Sequence, residues 1–253
     1  MPEAIVTGSA SGIGLCAARR LLARGWTVQG VDRQRPPVDP GHGYTHHSID
    51  LADPAALDTL VARVGALHPT PAALVHAAGV MRADEDPETR ADGGHRLWQV
   101  HALAAHRLIE ALAPRLPDRA GRVVLVSSRA AQGRAGRALY AGSKAALEGI
   151  ARSWAAALVR RGITVNVVAP AATNTPMLAD PARGSAPVLP LPIGRLIEPD
   201  EVVDVIELLL GRTGGVITGQ TILLDGGLSL RSGEATDDVA GGASGPGQRP
   251  ALR

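Results

Sequence analysis

The chain has no phenylalanine, two tyrosines, two asparagines, one cysteine and a single lysine set against twenty-five arginines in 253 residues. Each scarcity excludes something. One cysteine rules out an intrachain disulfide, and Cys16, two residues after Gly14 in a helical stretch, reads as a small buried apolar side chain. No stretch approaches the roughly eighteen uninterrupted apolar residues of a membrane span. The opening "EAIVTG" has no basic segment followed by an apolar one, so a soluble, cytoplasmic protein is the expectation. Neither sign of charge dominates: 26 Lys+Arg against 24 Asp+Glu leave +2, with the arginines scattered. That is not the footprint of a nucleic-acid binder. In a chain so biased toward Ala, Arg, Gly and Pro, the lone lysine is informative. Lys144 lies four residues after Tyr140, in "ALYAGSKAAL".

What is present alternates. "AIVTG", "WTVQGVD", "HHSID", "AALVHAAG", "GRVVLVSS", "GITVNVVAP" and "GQTILLDGG" read as seven short strands bounded by Gly, Pro or Asp. Helices are expected between them at Ile13 to Arg24, Pro54 to Val64, Gly94 to Ala113, Tyr140 to Arg161 and Asp200 to Leu210. Strands apolar on both faces, alternating with helices, predict one doubly wound, Rossmann-type domain of class α/β with a parallel sheet, over residues 1–231. Within it, the proline-rich segment 177–198 predicts a mobile, partly apolar lid. Residues 232–253 lack the apolar content to order themselves, and a disordered tail is expected there.

Two motifs carry chemistry. In "TGSASGIG", Gly8, Gly12 and Gly14 stand between a strand and a helix, where backbone amides favour a pyrophosphate and missing Cβ atoms let the chain come close. Asp32 ends the next strand, placed to accept from an adenosine ribose and to repel a 2′-phosphate. This argues for NAD over NADP, although Arg33 beside it could pair with that phosphate. On a helix, Tyr140 and Lys144 share a face one turn apart, so an ammonium can sit near a phenol and lower its pKa. That makes Tyr140 a plausible acid/base for a secondary alcohol or ketone. Arginine would replace Lys144 poorly, because its forked head occupies different space.

With "DL" at Asp50, "HAAG" from His76, "VSS" ending at Ser128, "YAGSK", "NVVAPAATNTP" from Asn166 and "LLDGG", the chain resembles the short-chain dehydrogenases/reductases over residues 4 to 230. The resemblance implies that Tyr140 is the acid/base, that Lys144 binds the nicotinamide ribose while lowering the tyrosine pKa, and that Ser128 holds the substrate oxygen. Counting back from the tyrosine points instead to Ser127, but the strand register favours Ser128. For the cofactor it implies contacts from Gly8, Ser11, Gly12, Ile13 and Gly14, and from Asp32, Asp50 and Leu51. It adds Ala77, Ala78 and Gly79, the pair Tyr140 and Lys144, then Pro170, Thr173 and Thr175. His101 stands where the family usually has an asparagine that helps hold a water beside the lysine, and an imidazole could do the same or relay a proton. The other histidines form no metal-ligand spacing, and no metal is expected.

For the substrate, Arg82, Arg134 and Met177 are the candidates, with Arg129 and Arg137 nearby, either as clamps for an anion or as solvated surface charges. "AAGVMR" and "AAQGRAG" resemble dehydrogenases of dihydroxycyclohexadiene carboxylates, the 2,3-dihydro-2,3-dihydroxybenzoate dehydrogenase type. A cyclic cis-diol or secondary alcohol is the expected substrate. A 3-oxoacyl-carrier-protein-type reductase using NADPH, or a non-catalytic NAD-binding regulator, are the alternatives. The resemblance also implies a homotetramer, or a homodimer, built on the two long helices.

Overall fold

The computed structural model describes residues 1–67, 69–184, 188 and 190–230. Seven strands form one all-parallel sheet in the order β3-β2-β1-β4-β5-β6-β7. These are β1 (Glu3–Thr7), β2 (Thr27–Asp32), β3 (Tyr44–Ser48), β4 (Ala73–His76), β5 (Arg122–Val126), β6 (Thr164–Pro170) and β7 (Thr221–Leu224). Sequence pattern and structure agree on all seven. His46 and His47 lie inside the edge strand β3.

Period-2 alternation sends neighbouring strand residues to opposite faces, and helices cover both. On one face Ile5, Leu74, Val123, Leu125, Val165 and Val167 pack with residues of α2 (Pro54–Ala66), α5 (Ala104–Leu112) and α6 (Ala138–Leu158). On the other, Ala4, Val6, Val75, Val124, Val126 and Val168 meet α1 (Gly12–Ala23) and α7 (Pro199–Leu210). Those two helices are also tied by Arg20 to Asp200, Asp204 and Glu207. The arrangement is a single Rossmann-type domain.

Helix starts follow local chemistry. Asp53 caps α2 through Ala55 N with Pro54 in the first turn, and Glu198 and Glu201 form a reciprocal box at the start of α7. A short helix that periodicity does not reveal, α3 (Pro87–Asp92), is capped by Asp86 and stopped by Gly93 at φ 62. The predicted helix from 94 to 113 is α4 (His95–Trp98), a π-helical turn (Gln99–Leu103) and α5 in succession. Segment 177–198 contains two 3-10 turns, Pro176–Ala179 and Pro181–Arg183, and Ile197 bridges to Thr173. Part of the predicted lid, and the predicted tail at 232–253, lie outside the described residues.

Cys16 is half-buried instead of buried. Its thiol donates to Asp200 Oδ1 at 3.2 Å, and burial with that carboxylate pushes its pKa up to about 12. It is an inert thiol at neutral pH.

Candidate active site at the carboxyl ends of the strands

The strand order reverses direction between β1 and β4, and a cavity of about 720 Å³ opens there at the carboxyl ends of the strands, where such sheets bind ligands. It runs from the glycine turn to Tyr140. Every residue expected at the site from the sequence lines it, except His101 and Arg82.

At one end the chain has made room. Gly8 has φ +70, and a Cβ on Gly14 would sit 2.2 Å from the Gly8 carbonyl oxygen, so only glycine permits the turn. Ser11 caps α1 without a side-chain hydrogen bond, which leaves first-turn amides aimed at whatever enters. Asp32 braces the turn from β2: its Oδ2 accepts from Ala10 N at 3.1 Å and its Oδ1 from Gln34 N at 2.9 Å. Asp50, after β3, accepts from Ala52 N and from Arg96 at 3.1 Å. Despite burial, the Ala52 amide and the Arg96 guanidinium, with Arg33 nearby, hold its carboxyl below the usual range. A cradle that a Cβ would fill, with free amides and a carboxylate beyond, fits a dinucleotide. Arg96 lines the cavity and was not legible from the sequence, since 46 positions separate it from Asp50.

At the other end, α6 presents Tyr140 and Lys144, 3% and 4% exposed. Burial raises the Tyr140 pKa, opposed by the Ser128 hydroxyl and by the cations Arg137 and Arg134. Lys144 lies one helical turn further along α6. Its Nζ donates to the Val126 carbonyl at 2.9 Å, and burial lowers its pKa to about 7. Ser127 is turned away, its buried hydroxyl donating to the Lys144 carbonyl at 2.8 Å.

His101 does not line the cavity. It is fully buried; Nε2 accepts from Val80 N at 3.0 Å and Nδ1 meets Ser143 Oγ at 2.9 Å. Ser143 spends its proton on the Tyr140 carbonyl, so His101 Nδ1 is the donor of that pair. Both ring nitrogens are occupied, which removes the expected water-holding or relay role from the side chain. Its ring packs edge-on to Tyr140, centroids 5.6 Å apart. His76 is its counterpart with the opposite tautomer. Nε2 donates to the Val100 carbonyl at 3.1 Å, and Nδ1 accepts from Thr7 Oγ1 at 2.9 Å, which itself accepts from Ala78 N. Burial and the nearby Lys144 keep both imidazoles neutral, His76 with a pKa lowered to about 3.

Arg82 is likewise not free to clamp a substrate. It points to Glu88 at 3.2 Å and Asp180 at 3.9 Å, outside the cavity lining. Arg134 and Met177 do line it, joined by Arg129, Arg137 and Arg183. Among the described residues no group of three or more His, Cys, Asp or Glu is placed to hold a metal ion, and no helix is long and apolar enough to cross a membrane.

A doubly wound sheet with a dinucleotide cradle and a tyrosine at the far end of the same cavity defines a nicotinamide-dependent oxidoreductase. A family model described as enoyl-(acyl carrier protein) reductase matches residues 8–229. The 3-oxoacyl-[acyl-carrier-protein] reductase of Salmonella typhimurium is 30% identical over 90% of this chain and 97% of its own. The (2S)-[(R)-hydroxy(phenyl)methyl]succinyl-CoA dehydrogenase subunit of Thauera aromatica is 32% identical over 91% and 97%. A short-chain dehydrogenase from Burkholderia cenocepacia solved with NADP is 30% identical over 90% and 98%, with TM-score 0.78. The chain belongs to the short-chain dehydrogenase/reductase family and is an NAD- or NADP-dependent oxidoreductase acting on CH–OH groups.

Proposed function

We propose that the protein interconverts a secondary alcohol and a ketone in a 3-hydroxyacyl/3-oxoacyl thioester, with NAD as the preferred cofactor. The observation that carries the chemistry is that the buried Tyr140, with Ser128 and Lys144, lines the same cavity that begins at the glycine turn. When bound, the nicotinamide supplies or accepts the hydride. In reduction Tyr140 gives its phenolic proton to the carbonyl oxygen, and in oxidation it takes that proton back. Ser128 donates a hydrogen bond to the same oxygen, steadying it as charge develops. Lys144, neutral or charged near pH 7 in this pocket, turns from the Val126 carbonyl toward the nicotinamide ribose. His101 acts as a positioning residue, fixing Val80 and, through Ser143, the first turn of α6.

The substrate class rests on the relatives, whose names specify acyl thioesters, and it displaces the cyclic diol expected from short motifs. The NAD preference rests on Asp32, whose carboxylate is held at the end of β2 and would repel a 2′-phosphate. Subunit contacts are assigned to the face of α4, α5 and α6 around Trp98 and Leu103, 42% and 43% exposed. The test is steady-state reduction of a 3-oxoacyl thioester with NADH and with NADPH. NADH is expected to give the higher kcat/KM, and Tyr140→Phe to lower kcat by about 100- to 10,000-fold while still binding cofactor. Undiminished turnover in that variant would remove Tyr140 from the reaction. A preference for NADPH would overturn the reading of Asp32.

A further inference from the structure

Several arginines elsewhere in the molecule find carboxylates: Arg20 with Asp200, Asp204 and Glu207, Arg96 with Asp50, Arg161 with Asp118. Arg122, buried far from the cavity, is held by backbone carbonyls instead. Three arginines near Tyr140 differ from both. Among the described residues, Arg129, Arg134 and Arg137 form no ion pair, although all three line the cavity. Arg137 is the most telling. It is only 3% exposed, and its guanidinium donates to the Met81 thioether and the Arg183 backbone carbonyl, both at 2.6 Å. A thioether is a weak acceptor, and neither partner carries charge. Arg129 has a buried Nε with no hydrogen-bond partner.

A buried cation without a counter-charge is costly, and crowding like charges beside it adds to the cost. Burial and the neighbouring Arg134 and Arg183 both act against the charged form of Arg137. Glu85 acts in its favour from beyond ion-pairing distance. Such a cluster gains most from an anion that enters with the substrate. Arg134 and Arg137 are also the cations that act on the Tyr140 phenol, so the anion sits close to the reacting oxygen. A planar fork suits a carboxylate.

We propose that Arg134 and Arg137, backed by Arg129, form a carboxylate-binding subsite beside Tyr140, and that the substrate carries a carboxylate near the carbon being oxidised or reduced. This rests on Tyr140 being the proton-transfer group, and it narrows the thioester reading to acyl chains ending in an acid.

Two probes of equal length separate the cases: the N-acetylcysteamine thioesters of 3-oxoadipate, with its free carboxylate, and of 3-oxohexanoate, without one. Binding is read from nicotinamide fluorescence in the NADH complex of Tyr140→Phe, in which reduction is slowed, with the arginine substitutions added to that background, and kcat/KM is measured on the proteins that keep Tyr140. The carboxylated probe is expected to bind roughly 10- to 100-fold more tightly, the range of a desolvated charge-assisted pair. Arg134→Ala, at an exposed position, and Arg137→Lys, which keeps the buried charge but loses the fork, should each shrink that ratio about tenfold. Equal binding of both probes, or parallel losses on both in the variants, would overturn the subsite. Tyr140-dependent turnover of the neutral probe with no preference for the acid leaves the proposed reaction standing and removes the subsite. Arg134-dependent binding of the acid without turnover does the reverse.

Discussion

Ser127 and Ser128 lie next to each other after β5, and the strand's alternation sends them to different tasks. Ser127, 4% exposed, ties that strand to α6 through the Lys144 carbonyl. Ser128 opens into the cavity and caps the following turn through Ala130 N. The two alanine variants therefore separate by readout. Ser128→Ala is expected to lower kcat by about 100-fold with little change in unfolding midpoint. Ser127→Ala should cost about 1 kcal/mol in urea titration while its per-site kcat stays far closer to the parent's. If Ser127→Ala were the catalytic loss, the counting from Tyr140 and not the strand register would be the right guide. The lone lysine has its own reason at this scale. Its amino group is buried against the Val126 carbonyl, and burial drops its pKa to about 7, whereas an arginine stays charged at that pH.

The π-helical turn at Gln99–Leu103 is where one element sets another's geometry. His76, at the end of β4, donates into it at Val100, and His101, within it, grips Val80 and Ser143. Both imidazoles are neutral when folded, with pKa values below the ordinary 6.5. The unfolded chain therefore binds more protons below pH 6.5, so stability is present above that value and is lost as pH falls from 6.5 toward 3. These two sites contribute up to about 2.7 kcal/mol per pH unit to the slope of unfolding free energy, and His76→Asn should lower the slope by about 1.4. Urea midpoints measured across that window check the claim. A wild-type slope unchanged by the substitution would mean that carboxylates, not these histidines, govern acid unfolding.

At the scale of the whole molecule, the fold brings together residues from six strand ends and the start of α6, and it leaves an apolar face open. Trp98 and Leu103 border a surface pocket of about 290 Å³ with His95, Gln99, Ala102, His106 and Ile150. If that face carries subunit contacts, replacing Leu103 by Glu should shift the mass in sedimentation equilibrium toward smaller species while far-ultraviolet circular dichroism is kept, because a buried charge without a partner opposes association. A parent protein that sediments as a monomer would dispose of the idea.

Strand count, parallel pairing and the helix order were legible in the sequence, because period-2 apolar runs bounded by Gly, Pro and Asp leave few other arrangements. So were the glycine turn at Gly8 to Gly14, the pair Tyr140 and Lys144 one helical turn apart, and Asp32 at the end of the strand that follows α1. The rest depended on contacts that no spacing encodes. Arg82 met Glu88 and Asp180, Arg96 met Asp50, and Arg137 was left without a carboxylate. His101 turned inward, both nitrogens taken by Val80 and Ser143. Composition and periodicity determine which segments become strands and helices. Which charges are neutralised, and which wait for a ligand, is decided only when distant segments pack, since a side chain's partners and its desolvation are properties of the assembled interior.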